Sequence, residues 1–268
     1  MKKDACTARM GRPREFDVDE ALAAVMRVFW SKGYEGASMA DLTDATGVSR
    51  PSLYSAFGNK EALFKRALDL YETEKLAVGR HITYDVRANW KLIIENFMEC
   101  YHCATIHPEL TTVLPEFAAG YAAQYYVGHG AEFGGEIKGF TVDGSEGVDR
   151  LPGVTEAQDR KYYAITIKPG VFVNLVPDHV ILHRMFPLAP DRTLVRCDWL
   201  YLPEVVESGR DLSRSVELFH RVNLQDFEAC ERCQLAMGSR AYARGGVLVP
   251  SEHHIGAFHD WVRARLGG

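Results

Sequence analysis

Two histidines, His102 and His107, lie five residues apart at the end of a predicted helix. Pro108 follows directly and disfavours helical backbone at the residue before it, so the chain breaks and the second imidazole can turn toward the first. Two neutral imidazoles and one carboxylate from elsewhere in a chain form the facial triad of non-haem Fe(II) oxygenases, which leaves positions open for oxygen and substrate. The alternative is a pair of surface histidines held by ordinary hydrogen bonds at a helix end, and the spacing fits both.

Two Cys-x-x-Cys pairs form a second pattern of possible metal ligands: Cys100 with Cys103, and Cys230 with Cys233. Four thiolates arranged in two such pairs are a common zinc site. Cysteines three residues apart on a helix also fit close core packing, and both interpretations stay open. The whole chain has 6 cysteines in 268 residues, too few to predict a disulfide framework. We therefore expect a reduced, cytoplasmic protein.

Basic and hydroxyl side chains cluster near the N-terminus, around two short predicted helices. Gly47 and Val48 separate these helices, and Ser49 provides a cap for the second one. A glycine permits the sharp turn of a helix-turn-helix, whose second helix lies in the major groove of DNA. A basic arm precedes them and contains Lys2, Lys3, Arg9, Arg12 and Arg14. The alternative is a small helical bundle in which Tyr54 and Phe57 are only core residues.

The elements that position these residues change in character near residue 76. The chain carries a net charge of −5, with 47% hydrophobic and 25% charged residues, which is a globular composition and excludes disordered and fibrous proteins. The patterns predict an all-α helix-turn-helix head over residues 1–76 and an α+β body, an antiparallel sheet with helices, over residues 77–268. No apolar run approaches the roughly 20 residues that span a bilayer, so we expect no membrane partner.

Hydrophobic periodicity and turn residues give the bounds of the predicted elements. In the head, helices are predicted over residues 18–32, 38–47, 49–57 and 59–75. In the body, strands are predicted over residues 81–87, 162–167, 171–175, 179–186 and 193–202, and helices over 89–105, 211–237 and 251–266. Residues 120–155 are rich in glycine and are expected to form long loops.

The head resembles the N-terminal domain of the tetracycline-repressor (TetR) family over about residues 10–70. The matching segments are residues 11–14, 29–34, 38–57 and 59–63. The resemblance implies double-stranded DNA as a partner, with residues 39–46 as the first motif helix and 49–57 as the recognition helix. It assigns phosphate contacts to Ser38 and Lys60, and groove or backbone contacts to Arg50, Ser52 and Tyr54.

The body resembles the catalytic domain of Rieske-type oxygenase α-subunits over about residues 80–267, which implies a helix-grip, START-like fold. An acidic residue followed by histidines at +3 and +8 carries the resemblance, together with residues 223–231, 238–242 and 258–261. The resemblance implies that Fe(II) is held by His102, His107 and Asp226. It also implies that Glu99 is the acidic bridge for electrons from a neighbouring subunit and that Asn96 lines the site.

The chain departs from that family in one respect. A Rieske centre needs Cys-x-His followed by Cys-x-x-His, and these 268 residues contain no Cys-x-x-His, so no ligand set for a 2Fe–2S cluster is present. The two resemblances therefore imply a fusion, joined near residues 74–81, whose iron domain would need an external electron-donor protein. The alternative function is an iron- or ligand-responsive transcriptional regulator in which the oxygenase-like domain only senses. A fusion in which neither half works is a third possibility.

Aromatic residues gather in one loop region: Phe117, Tyr121, Tyr125, Tyr126 and Phe133. Cations bind favourably to aromatic faces, so this group predicts a site for a small quaternary ammonium or aromatic substrate. This agrees with the resemblance, which is greatest to the branch of oxygenases acting on choline, glycine betaine and related compounds. Ordinary hydrophobic lining is the alternative. We also expect a homo-oligomer, since TetR-like proteins form two-fold dimers and these oxygenases typically form trimers.

Overall fold

The structure, a computed structural model, describes residues 16–119, 130–156, 158–242 and 252–267, with the single positions 246 and 248. The head begins with helices α1 (Val18–Gly36), α2 (Met39–Thr46), α3 (Arg50–Phe57) and α4 (Lys60–Leu68). Two short 3-10 turns, Asp69–Tyr71 and Thr73–Lys75, lead from α4 into the first strand.

The body combines an antiparallel sheet with helices. Its strands are β1 (Ala77–Val86), β2 (Ala131–Glu132), β3 (Lys161–Ile167), β4 (Val171–Val176), β5 (His179–Ala189) and β6 (Arg192–Tyr201). Its helices are α5 (Trp90–Phe97), α6 (Cys103–Ile106), α7 (Pro108–Val113), α8 (Pro203–Glu207), α9 (Ser213–Met237) and α10 (His253–Leu266), with a 3-10 turn at Pro115–Ala119. The predicted fold class, an all-α head followed by an α+β body, is confirmed.

Local capping explains the short helices of the head. Ser38 accepts a hydrogen bond from the Asp41 amide while the Asp41 carboxylate accepts from the Ser38 amide, which is a capping box at the start of α2. Gly47 ends α2 in the left-handed conformation, with φ 65°, which favours glycine. Ser49 caps α3 in the same way as a local acceptor for the Ser52 amide. The turn between α2 and α3 is therefore specified by residues adjacent to it.

The sheet has strand order β1-β6-β5-β4-β3-β2, and its neighbouring strands are antiparallel. Because successive side chains of a strand point to opposite faces, the sheet has two distinct surfaces. The inner face carries Tyr162, Asn174 and His183 and lies toward α9, where His183 contacts Phe219 at a ring-centroid distance of 5.4 Å. The opposite, outer face carries Tyr163 and Ile165, and both are buried.

Helix α1 of the head lies against strand β3 of the body. Ala21, Ala24 and Val28 of α1 are buried, as are Tyr163 and Ile165 of β3. The buried apolar residues of head and body belong to one hydrophobic cluster. The head is therefore packed on the sheet and does not hang on a free linker.

Three predicted helices differ from the structure. The first helix continues to Gly36 instead of ending at Lys32, and α4 ends at Leu68 instead of continuing to Lys75. The helix predicted over residues 89–105 is broken after Phe97, and the chain turns before α6 begins. Across the described residues, no helix combines the length and apolar character that crossing a membrane requires.

Candidate functional site

Three side chains from distant parts of the body converge between α9 and the segment that contains α6 and α7. His102 caps the start of α6, His107 joins α6 to α7, and Asp226 lies in the middle of α9. The Nε2 atoms of His107 and His102 lie 2.8 Å and 3.2 Å from the same oxygen, Asp226 Oδ1. The two imidazole rings have centroids 5.1 Å apart and are nearly perpendicular, at 80°. Both Nε2 atoms therefore face one carboxylate.

Each of the three converging side chains is oriented by another polar group. The Nδ1 of His102 contacts the Glu99 carboxylate, and the Nδ1 of His107 lies 2.7 Å from Gln225 Oε1. Asn96 Nδ2 donates to Asp226 Oδ1 at 2.8 Å. A partner on Nδ1 fixes the ring so that Nε2 points inward, which is how proteins orient metal-ligating histidines. Glu99 and Asn96 were predicted at this site, whereas Gln225 was not.

Burial and charge set the protonation of the metal-free site. Burial alone would lower the pKa of His102, but the hydrogen bonds that its ring donates to Asp226 and Glu99 outweigh it and raise the pKa to about 9. Burial alone would raise the pKa of Asp226, but hydrogen bonds from His102 and His107 outweigh it and lower the pKa. At neutral pH the protonated His102 ring thus lies between two carboxylates. A metal ion that binds Nε2 must displace that proton.

The donor set and its spacing fit a divalent metal. Two nitrogen or oxygen ligands about 2.1 Å from one ion and at right angles to each other are about 3.0 Å apart. The separations of Asp226 Oδ1 from the two Nε2 atoms, 2.8 Å and 3.2 Å, bracket that value. His107 and Asp226 are only 1% and 3% exposed, so these ligands are already desolvated. Two imidazoles and one carboxylate are the ligand set of non-haem Fe(II) sites.

A buried network of polar side chains, which the sequence analysis missed, extends from the inner face of the sheet to α9. Tyr162 donates to Asn174 Oδ1 at 2.7 Å, and Asn174 Nδ2 lies 3.3 Å from His183 Nδ1. His183 Nε2 lies 3.0 Å from Asn223 Oδ1, one helical turn before Asp226. Tyr162, Asn174 and His183 come from three separate strands, so no short motif contains them. The signal that the sequence offers is the period-two alternation of each strand, which places these three residues on the inner face of the sheet.

The predicted aromatic group is only partly described. Tyr121, Tyr125 and Tyr126 lie outside the described residues. Phe117 and Phe133 are buried, and Phe117 meets Tyr162 edge to face with ring centroids 6.0 Å apart. Phe133 stacks on Phe140 at 6.2 Å, and Phe140 stacks on Tyr162 at 5.3 Å. The described members thus join an aromatic cluster that reaches the inner polar network through Tyr162.

The two Cys-x-x-Cys pairs do not come together as a four-thiolate site. Cys100 and Cys103 form a disulfide with a Cα–Cα distance of 5.0 Å. Cys230 is a buried thiol whose Sγ donates to the Leu92 carbonyl at 3.9 Å, and Cys233 is an exposed thiol. Among the described residues, the cysteine that joins a metal-ligand group is Cys103, with His102 and His107. The zinc interpretation drawn from four cysteines is therefore wrong.

The predicted DNA-contacting residues lie at the surface of the head. Arg50 and Ser52 are exposed at the start of α3, and Tyr54 is 37% exposed beside them. Arg50 Nη2 donates to the Tyr54 hydroxyl at 3.1 Å, so these two side chains already form a unit. Lys60 is half-buried, with its Nζ 4.4 Å from the centroid of the Tyr34 ring, and Ser38 is exposed at the α2 cap. The basic arm, within residues 1–15, lies outside the described residues.

Comparison with known proteins finds two families along the chain. Residues 73–268 match the family described as ring hydroxylating alpha subunit (catalytic domain), and residues 21–67 match the family of bacterial regulatory proteins, tetR family. These matches confirm both resemblances.

Individual relatives fall into the same two groups. The glycine betaine monooxygenase oxygenase subunit of Pseudomonas aeruginosa (strain UCBPP-PA14) is 29% identical over 238 residues, covering 76% of this chain and 55% of that protein. The HTH-type transcriptional repressor ComR of Escherichia coli (strain K12) is 54% identical over 61 residues, covering 23% of this chain and 29% of that protein. A solved quaternary ammonium Rieske monooxygenase has a similar fold, with a TM-score of 0.50 at 17% identity, over 75% of this chain and 53% of that one. The chain spans about half the length of the oxygenase relatives it matches.

Proposed function

The chain belongs to the ring-hydroxylating α-subunit family through its catalytic-type body and carries a TetR-type head, and we propose that it holds Fe(II) in the body and binds double-stranded DNA through the head. The proposed iron ligands are His102, His107 and Asp226. The proposed DNA contacts are Ser38, Arg50, Ser52, Tyr54 and Lys60. Head and body meet at residues 76 and 77 in this proposal.

The observation that carries the iron proposal is the convergence of both imidazole Nε2 atoms on Asp226 Oδ1, at 2.8 Å and 3.2 Å. Ordinary surface histidines would not need to be buried against a carboxylate, and they would not each need an oriented Nδ1 partner. Glu99 and Gln225 supply those partners. Metal-ligating histidines are commonly oriented in this way, by a hydrogen-bond partner on the ring nitrogen that does not face the metal.

When bound, Fe(II) would supply the redox chemistry with which non-haem oxygenases activate dioxygen. The chain's own residues would then act in positioning. Asn96 would hold Asp226 in its orientation through a hydrogen bond. Glu99 would accept a hydrogen bond from Nδ1 of His102, so that Nε2 of His102 faces the metal. Insertion of one oxygen atom into a C–H bond also consumes two electrons from a donor. No cluster ligands are present in these 268 residues, so we expect sustained turnover only with an external electron-donor protein.

Metal analysis under anaerobic conditions tests the iron proposal. We expect about one Fe(II) per wild-type chain and a loss of bound iron in Asp226→Ala, since that change removes the only charged ligand. Asp143→Ala is the matched control, because Asp143 is an exposed carboxylate in the same body. Equal iron content in wild type and Asp226→Ala would reject the assignment.

A second candidate function is a transcriptional regulator whose body senses iron or a small ligand. The packing of α1 on β3 favours this candidate over an oxygenase with an unconnected head, because β3 also carries Tyr162 on its inner face. Allosteric coupling between two sites typically changes affinity about 5- to 150-fold. DNA fragments selected from a random pool by the protein should therefore bind with an affinity that depends on Fe(II). An affinity that is unchanged by Fe(II) would favour the oxygenase.

For the small ligand we propose a quaternary ammonium compound, with an aromatic compound as the alternative. Phe117 and Phe133 belong to the aromatic cluster that ends at Tyr162, and aromatic faces bind cations. Calorimetry with glycine betaine and with 3,3-dimethylbutanoate, which keeps the carboxylate and carries a tert-butyl group in place of the trimethylammonium group, tests this proposal. Binding of the cation alone supports it, and equal binding of both compounds points to hydrophobic lining.

A further inference from the structure

The cysteines around His102 are placed where they can act on the metal site. Cys103 follows His102 directly, Cys100 follows Glu99, and the two sulfurs are joined as a disulfide. Both residues are buried, with Cys103 only 3% exposed. The disulfide therefore lies inside the body and joins the chain neighbours of Glu99 and His102.

The position of the Cys103 sulfur is compatible with a bond to the same ion. Sγ lies 3.9 Å from His102 Nε2, and the candidate ligand atoms of His102, Cys103 and His107 all lie within 4.8 Å of one another. Ligands with metal–sulfur and metal–nitrogen bonds of about 2.3 Å and 2.1 Å at a tetrahedral angle are about 3.6 Å apart. A shift of a few tenths of an ångström would place the sulfur on a metal held by the two imidazoles.

The oxidation state of Cys103 decides whether its sulfur can bind a metal ion. In the disulfide, Cys103 carries no charge, and the thiolate is the form of cysteine that binds metals. Reduction by a dithiol or a phosphine breaks the S–S bond, and two electrons and two protons convert the sulfurs into the thiols of Cys100 and Cys103. The Cys103 thiol then loses its proton when it binds the metal.

We propose that Cys103 is a redox-controlled ligand: reduction of the Cys100–Cys103 disulfide adds its thiolate to a metal held by His102 and His107. The disulfide state keeps the ligand set of two imidazoles and one carboxylate, which suits Fe(II) with open positions. The dithiol state adds a soft anionic ligand, and a thiolate with imidazoles favours Zn(II). The metal that the body prefers would thereby depend on whether the Cys100–Cys103 pair is oxidised or reduced. This inference rests on the proposed metal site and adds its regulation.

Two variants separate the effect of the sulfur from the effect of the disulfide. Cys100→Ser cannot form the disulfide but keeps the Cys103 thiol, whereas Cys103→Ser loses both. Each variant is compared with the oxidised wild type and with wild type reduced by a phosphine, which becomes a phosphine oxide and leaves no thiol to bind metal. The probe is Co(II) alone, added without oxygen, because its bond to a thiolate gives a charge-transfer absorption in the near ultraviolet.

We expect that absorption in reduced wild type and in Cys100→Ser, and its absence in oxidised wild type and in Cys103→Ser. Zinc affinity should be at least about tenfold higher in Cys100→Ser than in Cys103→Ser. Co(II) binding without thiolate absorption in any form would overturn the role of Cys103 while leaving the metal site intact. If no form binds Co(II) at all, and Asp226→Ala changes nothing, then the metal site itself fails and the inference fails with it.

Discussion

Head and body place their functional groups in opposite environments. In the head, Arg50 and Ser52 are exposed on a short helix, a few residues from the glycine and serine that shape the turn. In the body, His107 and Asp226 are buried and separated by more than a hundred residues of sequence. The head thus presents a surface that is complete within one segment, whereas the body builds its site only when distant segments meet.

The difference also concerns what each region needs from the other. The recognition surface of the head requires only local caps, yet helix α1 is buried against β3. The proposed metal site of the body requires α9 and the segment of α6 and α7, and the nearest sheet strands add a polar network to it. Packing connects the two regions even though their functional groups do not touch each other.

The largest expected effect comes from breaking the contact between the regions. Ile165 is fully buried on the outer face of β3, so Ile165→Ala should cost about 2–5 kcal/mol of unfolding free energy. Urea unfolding can be measured by far-ultraviolet circular dichroism and by the fluorescence of buried tryptophan. We expect the midpoints of the two transitions to shift together. Two separate transitions, with only the body destabilised, would show that head and body are independent. Ala164→Ser, at an exposed position of the same strand, should change stability by less than about 0.5 kcal/mol.

The buried network should make the body sensitive to acid. Burial lowers the pKa of His183 to about 4, below the ordinary value of 6.5 that it regains on unfolding. The unfolded chain therefore binds a proton that the folded chain does not, and stability falls as pH drops from 6.5 toward 4. Between about pH 7 and pH 5 the loss is about 2 kcal/mol.

The variant His183→Gln isolates this contribution, because it keeps a polar side chain that does not titrate. Urea unfolding of the metal-free protein at both pH values gives the comparison. The acid-induced loss of stability should be smaller in the variant by about 2 kcal/mol. Identical pH dependence in both proteins would contradict the assignment.

A smaller effect is expected from the residue that orients His107. Gln225 Oε1 accepts from His107 Nδ1 at 2.7 Å, so Gln225→Ala should weaken Fe(II) binding by about tenfold or more. Gln225→Glu keeps an acceptor at that position and should restore most of the affinity. Anaerobic titration of Fe(II) measures both. If the alanine variant binds as tightly as the wild type, then Gln225 does not position the ring.

The smallest effect is expected in the head. Lys60→Ala removes one proposed phosphate contact, so the slope of log affinity against log salt concentration should fall by about one unit. We expect weak DNA binding by each head, with a strong salt dependence. Lys138→Ala, an exposed lysine of the body, is the matched control. A slope that is unchanged in Lys60→Ala would remove Lys60 from the interface.

The sequence predicted α2 and α3 of the head with accurate bounds because their signals are local. Ser38, Gly47 and Ser49 act on backbone groups within three or four residues, so the ends of α2 and the start of α3 follow from short motifs. The strands β3 to β6 were also predicted within a few residues, because turn residues separate them. The antiparallel sheet was predictable for the same reason.

The parts that were missed depend on tertiary contacts. The predicted helix over residues 89–105 is broken after Phe97 although no proline or glycine marks the break, and this turn brings His102 toward Asp226. His183 belongs to no motif, and Gln225 lies in a matching segment without an assigned role, so both roles follow from the side chains they face across the interior. The resemblances to two protein families predicted the candidate site residues, but not how their side chains are oriented.

The contact between α1 and β3 has a thermodynamic consequence. A head that covers part of the body cannot unfold without exposing apolar surface of the body, and cooperative unfolding, as expected for Ile165→Ala, would give the two regions one free energy of unfolding. Any ligand that binds only the folded body then stabilises the head as well, by about 2.7 kcal/mol when its free concentration is a hundred times its dissociation constant. A metal ion held by His102, His107 and Asp226 would in this way add to the stability of the helix-turn-helix.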